Sequence, residues 1–159
     1  MITFLPFEGF ELCARALDKK RCWKQVVEAK QILCILHYEL APSDWKESKA
    51  WINRNYINHP AIKMWIGYEE YLAVYYQLML NASKNIHGIN TDLPDHIIFD
   101  PVKQPYPWWL GNEDFHRSHR ARLIEKDSDF YLPKFPNDKG FNEGKYLWPD
   151  IKKFTFYII

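Results

Sequence analysis

Hydrophobic residues fall into helical spacing over three long stretches. From Lys19 to about Tyr38, Cys22, Val26, Ala29, Leu33 and Leu36 recur at steps of three and four, one buried stripe along a helix. Trp23, Val27 and Ile35 widen that stripe, and Lys20, Arg21, Lys24 and Glu28 fall on the charged face. Asp18 precedes the stretch and suits an N-cap, because its carboxylate can accept an amide proton from the first turn. His59-Pro60 opens a second helix, since proline's missing N–H costs nothing in the first turn. It runs through Ile62, Trp65, Ile66, Glu69, Leu72, Tyr76 and Met79 to about Ser83. Asn112, after Gly111, caps a third that reaches about Lys126. Shorter helical patterns cover Phe7 to Leu17 and Asp44 to Arg54, the latter carrying Trp45 and Trp51.

The rest reads as connection. The first residues form an extended arm ending near Pro6, and residues 88–111 hold Pro94, Pro101, Pro105 and Pro107. Pro133, Pro136 and Pro149 stand among aromatics further on, and Phe154 to Ile159 suits either a strand or an irregular arm. No repeat, low-complexity tract or linker interrupts the chain. The expectation is a single all-α domain over residues 1–159, three main helices with long aromatic- and proline-rich connections.

Composition sharpens this picture. With 159 residues, 47% of them hydrophobic, the chain can bury a core without disulfide or metal. Its 7 Trp and 10 Tyr suit core packing and also stacking on bases or sugars. A net charge of +1 is no global basic excess, yet six cations face two anions between Arg15 and Lys30. Such a local field can hold phosphates. Cys13, Cys22 and Cys34 form no C-x-x-C pair and read as reduced core residues. A start that reaches Glu8 at once, with no long apolar run, leads to the expectation of a cytoplasmic chain without signal peptide or membrane span.

Three groups of residues could carry chemistry. Arg21, Lys24, Gln25 and Glu28 share one helix face; the spacing fits a carboxylate that relays protons among cations, and equally a plain Lys24–Glu28 surface pair worth about 0.3 kcal/mol. His116, Arg117, His119, Arg120 and Arg122 sit on the third helix, where arginine forks suit phosphate oxygens and a solvated polar face is the alternative. His59 to Glu70 is a helix start with a core stripe, with Glu69 and Glu70 as spare carboxylates. The His116/His119 pair lacks a third ligand at metal spacing. Phosphate loops, dinucleotide fingerprints, zincin and nucleophile-elbow motifs are absent from the sequence, which argues against those classes.

Taken together, Thr3 to Pro6, Leu17 to Glu28, His59 to Glu69, Trp109 to Arg120 and Leu147 to Pro149 give the chain its resemblance to the pyrimidine-dimer DNA glycosylase family. The resemblance is nearest to a longer branch of small bacterial and viral proteins, with T-F-L-P, H-P-A-x-x-M-W-x-G-Y-E and F-H-R-S-H-R segments. It implies an all-α enzyme that flips a nucleotide from duplex DNA, breaks the glycosidic bond and nicks the abasic site. It also implies that the α-amine of the first residue is the nucleophile and that Glu28 is the acid/base. An amine must be unprotonated to attack C1′, and α-amines titrate near 8 against about 10.4 for lysine side chains. Ile2 is too bulky for the usual removal of the initiator methionine, so the amine is expected on Met1.

The implied DNA contacts are Lys20, Arg21, Lys24, His59, Arg117, His119, Arg120 and Arg122. Val27 and Gln31 stand where the family carries arginines, while Arg122 matches in an A-R-L triplet. The expected partner is double-stranded DNA with a damaged or modified pyrimidine, met by a monomer that needs no cofactor, metal or membrane. Two other readings share the fold: a DNA-binding protein that has lost the chemistry, and an N-glycosidic-bond enzyme acting on free nucleotides.

Overall fold

The computed structural model describes residues 1–36, 54–94 and 104–159. An extended N-terminal arm leads into helix α1 (Phe10–Ala16) and helix α2 (Lys19–Ile35). A 3₁₀ segment (Arg54–Asn58) precedes the short helix α3 (Pro60–Lys63) and then helix α4 (Glu69–Asn85). Helix α5 (Glu113–Lys126) and the single turn α6 (Ser128–Tyr131) follow, and strands β1 (Leu147–Asp150) and β2 (Thr155–Ile158) close the chain. The expected helix from Asp44 to Arg54 lies almost wholly outside the described residues.

Local chemistry sets these boundaries. Asp18 accepts the amide proton of Arg21 at 3.1 Å, and Asn112 accepts that of Phe115 at 3.0 Å, so both long helices begin where their caps stand. The stretch expected as one helix from His59 to Ser83 is two. The chain turns at Met64–Gly67, Gly67 takes a left-handed φ of 82°, and the Glu69 carboxylate accepts its N–H at 3.0 Å. The apolar period runs through this break because Ile62, Trp65, Leu72 and Met79 all reach the core.

Helix α2 packs along α4, and α1 packs on α4 beside it. Between them lies one continuous core that includes Phe4, Leu5, Leu33, Trp65, Tyr75, Tyr76, Trp109 and Phe115. All three cysteines are free and buried there, and burial pushes the Cys13 thiol up to about 12.

The all-α expectation is corrected at the C-terminus. Residues 147–158 form an antiparallel hairpin, with Trp148 opposite Tyr157 and Asp150 opposite Thr155. Asp150 accepts the amide protons of Lys152 and Lys153, which satisfies the turn, and Phe156 lies against Trp108 and Phe115. Four-residue strands write too short an alternation to separate a hairpin from an irregular arm. The molecule is mainly helical with this small sheet laid over α5.

Candidate active site

The arm is the feature on which the site depends. It is extended, Ile2 to Leu5 are buried, and no strand pairs with it among the described residues. Its peptide groups must therefore be satisfied by side chains. The Glu28 carboxylate accepts the N–H of Ile2 at 2.6 Å, and the Gln25 side-chain oxygen accepts that of Phe4 at 2.7 Å. One helical turn of α2 thus reads alternate residues of the arm, running antiparallel to it. Tyr75 donates to the Phe4 carbonyl and to the same Gln25 oxygen, and Trp65 donates to Thr3.

Helix α5 holds the arm from its other side. His116 and His119 bracket Leu5: Nδ1 of His116 donates to its carbonyl at 2.8 Å, while Nδ1 of His119 accepts its N–H at 3.3 Å. Nε2 of His116 accepts the Gly111 amide proton, which fixes its neutral tautomer. Arg120 donates to the Pro6 carbonyl at 2.8 Å and to Asp138 at 2.6 Å, and it pairs with Glu113. Arg117 also donates to Asp138 and lies over the Phe141 ring. The F-H-R-S-H-R segment is a clasp for the arm.

Burial makes this clasp acid-sensitive. His119 is held down to about 3, first by burial and then by its neighbours His116 and Arg120. Its folded pKa lies below the unfolded value, so the unfolded chain binds the proton more readily. Stability should therefore fall as pH drops from about 6.5 toward 3. Urea unfolding at pH 7 and pH 4 checks this, with a lower midpoint expected at pH 4 and a flatter dependence for His119→Asn. Equal midpoints for the wild-type protein would refute it.

The arm delivers Met1 to Glu28. Three covalent bonds separate the Met1 amine from the Ile2 nitrogen, so the amine lies within roughly 6 Å of the Glu28 carboxylate. Glu28 is not on a solvated face, as its helical spacing suggests; it is only 6% exposed because the arm covers it. Lys24, largely exposed, reaches it at 3.4 Å.

Around this pair stand side chains from distant segments. The charges of the Met1 amine and of Glu28 both reach His59, whose ring meets Trp148 edge-on at 6.2 Å. Tyr146 lies 5.4 Å from Trp148 and feels the charges of Arg122 and Glu28, while burial is the larger effect that raises its hydroxyl. Tyr146 and Trp148, two apart on the chain, line one side of the site; period-two spacing marks the pair, and Trp148 also falls within the Leu147 to Pro149 segment.

Apart from His59, which stands beside Trp148, the expected DNA contacts divide into two groups. Lys20 is exposed, Lys24 projects beside Glu28, and Arg122 is part-exposed over the Tyr146 ring while pairing with Glu125. Lys126 joins them: its ammonium is held down first by burial and then by the charges of Arg122, Lys24 and Arg21. The side chains of the second group, expected on DNA, are engaged within the protein, with Arg21 and Arg117 still part-exposed. His119 is fully buried, Arg120 nearly so, and Arg117 is turned onto Asp138. Arg21 spans Asp18, Asp127 and the Lys126 carbonyl, tying α2 to the end of α5. Helical spacing groups such residues on one face but does not say that an arm lies across it.

A family model described as pyrimidine dimer DNA glycosylase matches residues 1–96. No curated protein and no solved structure matches the chain. The matched stretch holds the arm, Glu28 and His59; α5 and the hairpin lie beyond it.

Proposed function

The chain belongs to the pyrimidine dimer DNA glycosylase family, and from that membership we propose that it is a DNA N-glycosylase with an abasic-site lyase step, acting on a damaged or modified pyrimidine in duplex DNA. The observation that carries this reading is the hydrogen bond from Ile2 to Glu28, which keeps a primary amine beside a covered carboxylate.

The Met1 nitrogen lone pair forms a bond to C1′ of an extruded nucleotide while the glycosidic bond breaks, and its electrons leave with the base, which takes a proton. The amine gives up one proton, the ring oxygen takes one as the sugar opens, and the nitrogen, keeping its last proton, becomes an iminium. Loss of the 2′ proton then expels the 3′ phosphate by β-elimination. Glu28 stabilises positive charge on the sugar and moves the protons. Lys20, Lys24, Arg122 and Lys126 take the phosphates, a charge-assisted role suited to their exposed or gathered cations. Arg21, Arg117, His119 and Arg120 hold the arm and the helices that carry the site. The reaction needs only DNA, the amine and the carboxylate.

Duplexes carrying a cyclobutane dimer, another modified pyrimidine or an abasic site test the reading. The purified protein is expected to release base from at least one lesion and to be trapped on abasic DNA by borohydride as a one-to-one adduct. Salt-dependent duplex binding with neither release nor adduct would indicate a binding protein that has lost the chemistry. Base release from mononucleotides alone, without duplex binding, would place the substrate outside DNA.

A further inference from the structure

We propose that His59 is a neutral hydrogen-bond donor to the leaving pyrimidine, its Nε2–H serving the carbonyl oxygen on which the departing base builds negative charge. This inference rests on the glycosylase reading and assigns a residue to one step of it.

The tautomer follows from the fold. His59 is the N-cap of α3, and its Nδ1 accepts the amide proton of Ala61 at 3.1 Å. A ring nitrogen that accepts an amide proton carries none of its own, so the single proton of the neutral ring is on Nε2. That atom has no hydrogen-bond partner among the described residues. Charging the ring would put a proton on Nδ1 and break the cap. Burial lowers the imidazole's pKa, the Met1 amine lowers it further, and Glu28 opposes them. The ring thus remains a donor rather than a cation.

The surroundings select its target. The segment that His59 opens packs on the arm, where Trp65 donates to the Thr3 hydroxyl and Met64 lies against it, and the charges of Met1 and Glu28 both act on the ring. Nε2 already holds a proton and cannot take one from the amine. As the glycosidic bond stretches, the sugar becomes positive and the base negative. A donor disfavours the first and favours the second, while the Glu28 carboxylate does the reverse. The two side chains divide the separating charge between them. Trp148, edge-on to the imidazole, braces the ring against rotation.

His59→Asn separates capping from donation, because asparagine caps a helix as well as any residue but lacks the ring's far nitrogen. Its melting temperature should stay near that of the wild type. Base release from the lesion duplex should slow by about 100-fold or more. Borohydride trapping on a preformed abasic duplex, where no base is expelled, should stay within about twofold. His59→Gln, a weaker cap with a longer amide donor, should recover part of the release. In both variants the loss should shrink for pyrimidines with electron-withdrawing substituents, which leave more easily. Unchanged release in His59→Asn overturns the inference while leaving the glycosylase reading intact. Equal loss of release and trapping also overturns it, since that marks a residue that merely positions Met1. A wild-type protein that neither releases nor traps overturns the glycosylase reading, and this inference with it.

Discussion

Glu28→Gln should leave the protein folded and reduce base release by two to four orders of magnitude, the span commonly lost with an acid/base group or a preorganised charge. Glutamine keeps an oxygen at the same reach, so it can still accept the Ile2 N–H that the carboxylate accepts at 2.6 Å. The arm and the Met1 amine therefore stay in place. What disappears is the negative charge facing the sugar and the ability to exchange a proton. Single-turnover release from the lesion duplex, set beside thermal melting, separates the two effects. Glu28→Asp retains the charge but withdraws it by one methylene and should fall between the wild type and Glu28→Gln. Release within about threefold of wild type in a folded Glu28→Gln protein would remove Glu28 from the mechanism. A plain surface ion pair of the kind its spacing also fits would give that result, being worth about 0.3 kcal/mol.

That contrast shows what the sequence carries. The stripe from Cys22 to Leu33 and the caps Asp18 and Asn112 are local signals, and the helices they mark are present. Glu28 was visible as a residue but not as a covered one, because its cover comes from the arm, 26 residues away along the chain. The same non-local contact reassigns α5. His116, His119 and Arg120 have the spacing of a phosphate-reading face, yet their partners are Leu5 and Pro6. Periodicity reports which residues share a side of a helix; it is silent on what packs against that side. Lys126, Tyr146 and Trp148 escaped for a related reason. A lysine at a helix end and two aromatics in a short strand look ordinary until α5 and the hairpin bring them beside Lys24 and His59.

Blocking the Met1 amine should abolish covalent trapping while sparing DNA binding. A single glycine placed before Met1 converts its nitrogen into an amide, which has no lone pair available for C1′, and moves the new α-amine by up to about 3.5 Å. Buried Ile2, Thr3, Phe4 and Leu5, with Glu28, Gln25, His116 and His119 on their peptide groups and Arg120 on the Pro6 carbonyl, leave the arm little freedom to slide back by one residue. Sliding by one would also turn the buried side chains to the opposite face of the extended arm. Trapping on abasic duplex is therefore expected to drop by about 1,000-fold or more, a loss of at least about 4 kcal/mol in the barrier. Affinity for the same duplex without borohydride should change by only a few fold, since Lys20, Arg122 and Lys126 are untouched. The competing nucleophile is Lys24, whose ammonium lies 3.4 Å from Glu28. Digestion of the wild-type adduct distinguishes the two, because DNA mass on the peptide that begins at Met1 supports the amine, and mass on the peptide that holds Lys24 excludes it. Undiminished trapping of the glycine-extended protein, together with an adduct at Lys24, would transfer the nucleophile to the helix and leave the arm as cover for Glu28.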